Sequence, residues 1–82
     1  MSKRKFGELR DLILKNLGSA KKTVNQISGE TGINWKTVDN HLIFLVGKQM
    51  VNIVFSSPYV KIFELGEKGK EYLEVKKGKK KR

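Results

Sequence analysis

The 82-residue sequence predicts one small α+β domain: a three-helix core, a two-stranded hairpin and a short C-terminal helix. Three observations predict it. Apolar residues recur at helical spacing through the first half of the chain. Two β-branched and aromatic runs then flank a Ser-Ser-Pro turn. Capping and breaking residues fall between the periodic segments.

The first helix is predicted at about 7–17, where Phe6, Leu9, Leu12, Ile13 and Leu17 recur on one side and Glu8, Arg10, Asp11 and Lys15 on the other. Gly18-Ser19 ends it. Lys21 and Lys22 lead into a short second helix, about 24–29. Thr23 and Gln26 have the spacing of a capping box, in which the threonine oxygen accepts from a first-turn amide and the glutamine reaches back. Val24 and Ile27 point inward. Gly29-Glu30-Thr31-Gly32 breaks the helix, and Gly32 supplies the positive φ of a tight interhelical turn. Asn34 caps the third helix, at 34–46, in which Val38, Leu42 and Leu45 make an i, i+4, i+7 core stripe. Gly47-Lys48-Gln49 closes it.

The period then changes. Residues 51–55 read as a strand, Ser56-Ser57-Pro58 as a turn and 59–65 as the returning strand of an antiparallel hairpin. Phe55 and Tyr59 are expected to pack within it. Gly66 stops the second strand, and 67–75 forms a last helix with Tyr72 and Leu73 inward.

Net charge is +10, but it sits at the ends. Residues 6–75 hold nine Lys and Arg against eight Asp and Glu, so the body is close to neutral. The expected organisation is a flexible basic arm at 1–5, the folded domain at 6–75 and a disordered basic tail at 76–82. Basic ends of this kind gain affinity for a polyanion by releasing its counterions. With no cysteine and one histidine, thiolate sites, disulfides and an all-histidine zinc site within one chain are excluded. No cofactor, small-molecule ligand or metal is called for, and no catalytic arrangement is visible. The Gly66–Gly69 stretch lacks the spacing of a phosphate-binding loop. No apolar run approaches the ~20 residues of a membrane span. The expectation is a cytoplasmic, nucleoid-associated protein without enzymatic activity.

The order helix, helix, tight turn, helix, hairpin, helix is that of a winged helix-turn-helix. Burying the Val38 stripe leaves Asn34, Lys36, Thr37, Asn40 and His41 on the opposite face, where base edges in a major groove would meet them. Asn40 suits adenine, Lys36 guanine or a phosphate, and Thr37 a base edge or a thymine methyl. Trp35 either contacts DNA or, as the favoured reading, packs against the preceding turn. His41 either meets a phosphate or is a hydrogen-bonded structural residue. Lys21 and Lys22 are expected beside the phosphate backbone. Ser57 marks the wing turn.

Residues 27–42, from Ile27-Ser28-Gly29-Glu30 to Asn40-His41-Leu42, resemble the core of small winged helix-turn-helix regulators of the ArsR/MarR-like type, above all archaeal and archaeal-virus ones. Residues 64–73 are similar to the segment that follows the wing in those proteins. The resemblance implies a homodimeric, sequence-specific transcription regulator that binds double-stranded DNA through the segment from Asn34 to His41. Phe6, Leu9, Ile43 and Phe44 are the apolar candidates for a dimer contact. The chain departs from the pattern in three ways: its wing tip has no Lys or Arg, Asp39 stands on the reading helix, and the ligands of metal-sensing members are missing. Two other functions stay open, a nonspecific chromatin-type DNA binder and a protein-interaction module of transcription or replication machinery.

Overall fold

The computed structural model describes residues 6–76. The basic arm at 1–5 and the tail from 77 onward lie outside the described residues, as do the side chains of Phe6 and Lys76. The elements are α1 (Phe6–Leu17), β1 (Lys22–Thr23), α2 (Val24–Thr31), α3 (Trp35–Gly47), β2 (Val51–Ser56), β3 (Lys61–Leu65) and α4 (Glu67–Lys76).

The sheet has three strands rather than the expected two, in the antiparallel order β1-β3-β2. Lys22 pairs with Phe63 and Thr23 with Ile62. The extra strand follows from the cap that precedes α2. Thr23 must be extended to cap the helix, at φ −90° and ψ 169°, and that conformation is already a strand conformation. The chain entering α2 therefore adds to the free edge of β3 without changing shape.

Both helix starts are built as their residues require. The Thr23 hydroxyl accepts from the Gln26 amide at 3.1 Å, and the Gln26 side chain accepts from the Thr23 amide at 3.0 Å. Asn34 Oδ1 accepts from the Lys36 amide at 2.8 Å. Between the two helices Gly32 takes φ 78°, and its amide donates to the Ser28 carbonyl at 2.9 Å. Ser28 Oγ donates to the Ile33 carbonyl at 2.6 Å, and Ile33 N donates to Thr31 Oγ1 at 3.2 Å. These bonds tie the turn to the end of α2.

The core lies where α1, α2 and α3 meet the inner face of the sheet. Ile13, Leu14, Ile27, Val38, Leu42 and Leu45 are fully buried there, and Val51, Phe63 and Leu73 close it from the sheet and α4. α4 seats against the turn after α3 at two glycines. The Gly66 amide donates to the Met50 carbonyl at 2.7 Å, and a Cβ on Gly69 would collide with that same carbonyl oxygen. Tyr72 Oη donates to Asp11 Oδ1 at 2.7 Å, tying α4 to α1. That bond to a carboxylate, with burial, raises the phenol above its usual pKa.

β2 is an edge strand of the sheet, opposite β1. Its register shifts between Ile53, opposite Phe63, and Phe55, opposite Ile62, so Val54 is the extra residue of a bulge. Only Val51 of this strand is buried, and Ile53, Val54 and Phe55 are exposed. Phe55 and Tyr59 therefore do not pack as the alternation of a strand suggests. The returning strand begins at Lys61 and not Tyr59, which puts Tyr59 in the turn.

Candidate nucleic-acid interface

The site is built on α3. Val38, Leu42 and Leu45 hold one side of this helix in the core, so its other side must face out. Asn34, Trp35, Lys36 and Asn40 are exposed on that side, and Thr37 and Asp39 are half-buried. The amide, ammonium and hydroxyl groups of Asn34, Lys36, Thr37 and Asn40 thus occupy the first two turns, as the spacing predicts.

Trp35 does not pack away behind the preceding turn. It is 57% exposed and lines an open cleft of about 360 Å³ bounded by the starts of α2 and α3 and by the wing turn. Thr23 and Asn25 line one wall, Ser57 and Tyr59 the other. Lys21 is exposed just before β1, and Lys61 is exposed where β3 leaves the wing turn, opposite Ser56.

Two of the expected surface residues are turned inward. Lys22 is buried, and its Nζ lies 2.6 Å from Glu30 Oε1. Lys21, just before β1, is exposed and Lys22 is turned in, where the lysine stem packs while its ammonium meets Glu30. Glu30 also accepts from Asn16 Nδ2 at 2.9 Å. These bonds, the one from Lys22 foremost, hold the Glu30 carboxyl below its ordinary pKa. His41 is buried beside the core stripe. Its Nδ1 accepts from Arg10 Nε at 3.3 Å, so this nitrogen is unprotonated. Burial first, and the Arg10 charge second, lower its pKa. Its burial and its bond to Arg10 fit the structural one of the two readings. Ser57 is half-buried, and its hydroxyl serves the wing turn.

Arg10 is the residue that sequence reasoning missed. It lines a second cleft, about 260 Å³, with Thr37, Asn40, His41 and Phe44, and its guanidinium carbon sits 3.9 Å from the centre of the Phe44 ring. It meets α3 only through the tertiary fold, so no local pattern in the sequence announces it. Charge is also sorted by element. Glu8, Asp11, Glu67, Glu71 and Glu74 lie on α1 and α4, whereas α3 carries Asp39 alone among the acidic residues.

A short helix, a glycine turn, an outward-facing polar helix and an adjoining hairpin together make a winged helix-turn-helix. No protein-family profile matches the chain, and no curated protein matches it in sequence. Solved structures do. The chain is similar to Sso10a-2, a DNA-binding protein from Sulfolobus solfataricus, with 27% identity and a TM-score of 0.71 over 92% of this chain and 84% of that one. It is also similar to the homodimeric winged helix-turn-helix DNA-binding domain of a possible ArsR-family transcriptional regulator from Mycobacterium bovis. There identity is 17%, the TM-score is 0.65 and the coverage is again 92% and 84%. This second likeness is one of fold.

Proposed function

We propose that the chain binds double-stranded DNA as a sequence-specific transcription regulator, with α3 lying in the major groove. One observation carries the reading: the Val38, Leu42 and Leu45 side of α3 is sealed in the core, and Asn34, Lys36 and Asn40 stand in solvent on the other. Asn40 is assigned to a base edge, Thr37 to a base or its methyl group, and Lys36 and Lys21 to guanine or phosphate. Asn34 and Trp35 meet the strand at the mouth of the wing cleft. Arg10 joins this set beside Thr37 and Asn40. The DNA-binding proteins that share the fold support the reading. A non-enzymatic role on the nucleoid goes with it, in keeping with the DNA-binding neighbour of the same fold. Action as a homodimer is part of the proposal, since one small domain covers little DNA. Ile43, 64% exposed on the later turns of α3, is its leading contact. Leu9 packs against the core instead, and Phe44 lies between Arg10 and Lys48.

Selection of bound sequences from a random duplex pool tests the reading. The expected outcome is an enriched site on which Asn40→Ala loses about 1–3 kcal/mol while binding to random DNA is unchanged. An equal loss on every sequence would favour the chromatin-type reading, which the basic termini support.

A further inference from the structure

Among the described residues Tyr59 is the most exposed large hydrophobic side chain, at 94%, and it stands at the tip of the wing. Its turn is stiff. Ser57 N donates to the Val60 carbonyl at 2.9 Å. Ser57 Oγ accepts from the amides of Tyr59 and Val60 at 3.2 and 3.1 Å and donates back to the Val60 carbonyl at 3.2 Å. Four hydrogen bonds from one serine thus hold a four-residue turn, and Pro58 fixes a further backbone angle. A phenol ring on so rigid a mount is left in water, where its apolar face gains nothing.

Nothing in residues 56–60 is charged. The turn presents a proline and a tyrosine, and the nearest cation is Lys61, exposed at the head of β3 and lining the same cleft. Tyr59 shares its cleft with Trp35, at the start of the reading helix. The ring is therefore continuous with the surface assigned to DNA.

We infer that Tyr59 is a non-ionic wedge: with α3 seated in the major groove, its ring enters the neighbouring minor groove and stacks into one base step, opening that step. The inference rests on the DNA-binding reading. Minor-groove proteins unstack steps with apolar side chains in this way, and a ring already held in place loses little freedom on insertion. The opened step is of pyrimidine–purine type, because TA and CA steps unstack most readily. The contact adds affinity without releasing counterions, so its contribution does not vary with salt.

The test uses the full chain and a duplex from the selected pool, with 2-aminopurine placed in turn at each step flanking the α3 site. The wild type is expected to raise fluorescence at one step and to bend the duplex, as read by energy transfer between its ends. Tyr59→Ala removes both signals and weakens binding about tenfold, in the range of base–aromatic stacking. Tyr59→Phe keeps both, and the salt slope of Tyr59→Ala equals that of the wild type. Tyr59→Lys restores affinity but steepens that slope by about 0.9, without the fluorescence change. Tight duplex binding with no opened step, or equal binding by Tyr59→Ala and wild type, overturns the wedge and leaves the α3 reading intact. Failure of every duplex to bind overturns both. Because the ring is almost wholly in solvent, none of these variants disturbs the fold.

Discussion

Arg10 and His41 lock α1 to the inner side of α3, the arginine Nε donating to His41 Nδ1 across 3.3 Å while its guanidinium covers Phe44 one turn further on. The bond needs an unprotonated Nδ1, and a proton there would set two positive groups against each other in a buried place.

Acid should therefore loosen this contact. The unfolded chain takes up a proton at His41 near 6.5, whereas the folded chain does so only at lower pH, because burial and Arg10 disfavour the imidazolium. The stability contributed by neutral His41 is complete above 6.5 and is lost as pH falls through its folded value. Urea midpoints measured from pH 7.5 downward should show this loss. His41→Asn, whose amide oxygen takes the place of Nδ1 without titrating, should flatten the curve in that window.

A second loss is expected at lower pH. Lys22 and Asn16 hold the Glu30 carboxyl below the ordinary 4.5. Stability from this group is present above 4.5 and disappears as pH falls through the depressed value. Glu30→Gln should be destabilised at neutral pH and lack the acid step. Lys22→Ala should cost more than Lys22→Met, since the methionine keeps the buried stem. Thermal melts at pH 7 and pH 3 compare all three.

Gly69→Ala should destabilise the domain by about 1–3 kcal/mol, because the added methyl meets the Met50 carbonyl oxygen and the Leu65 side chain. A backbone carbonyl cannot swing aside as a side-chain tip can. The loss should appear as an earlier urea transition, and an unchanged midpoint would show that α4 seats elsewhere.

Two turns predict changes of opposite sign. Gly32, at φ 78°, should lose about 1 kcal/mol on replacement by Ala. Gln49 holds φ 66° with a side chain that disfavours it, so Gln49→Gly should gain about 0.5 kcal/mol. Paired denaturation curves decide both, and gains or losses of the same sign would contradict these backbone angles.

Much of the fold was legible because its signals are local. Thr23 and Gln26, Gly32, Asn34 and the Val38 stripe each act within a few residues of themselves, and each does in the structure what its spacing implies. What the sequence hid depends on partners far along the chain. A strand of two residues has no periodicity, so β1 shows only when β3 lies beside it. Lys22 reads as a surface cation until Glu30 is placed opposite. Arg10 sits 31 positions from His41, and nothing near it signals the contact. Tyr59 reads as a strand residue by type, and only the longer turn puts it outside. The polar side of α3 was legible for a simpler reason: fixing its apolar side leaves just one place for Asn34, Lys36 and Asn40.

In the short link from Gly32 to Asn34 the Gly32 amide is held by Ser28, the Ile33 carbonyl and amide by Ser28 and Thr31, and the Asn34 Oδ1 by Lys36. These bonds stiffen the link and resist a change in the angle between the two helices. In the DNA-binding reading, a protein so built does not mould itself to each site it meets. Whatever bending or twisting a good fit demands must be supplied by the double helix, and sequences too stiff to yield are rejected even where their base edges match.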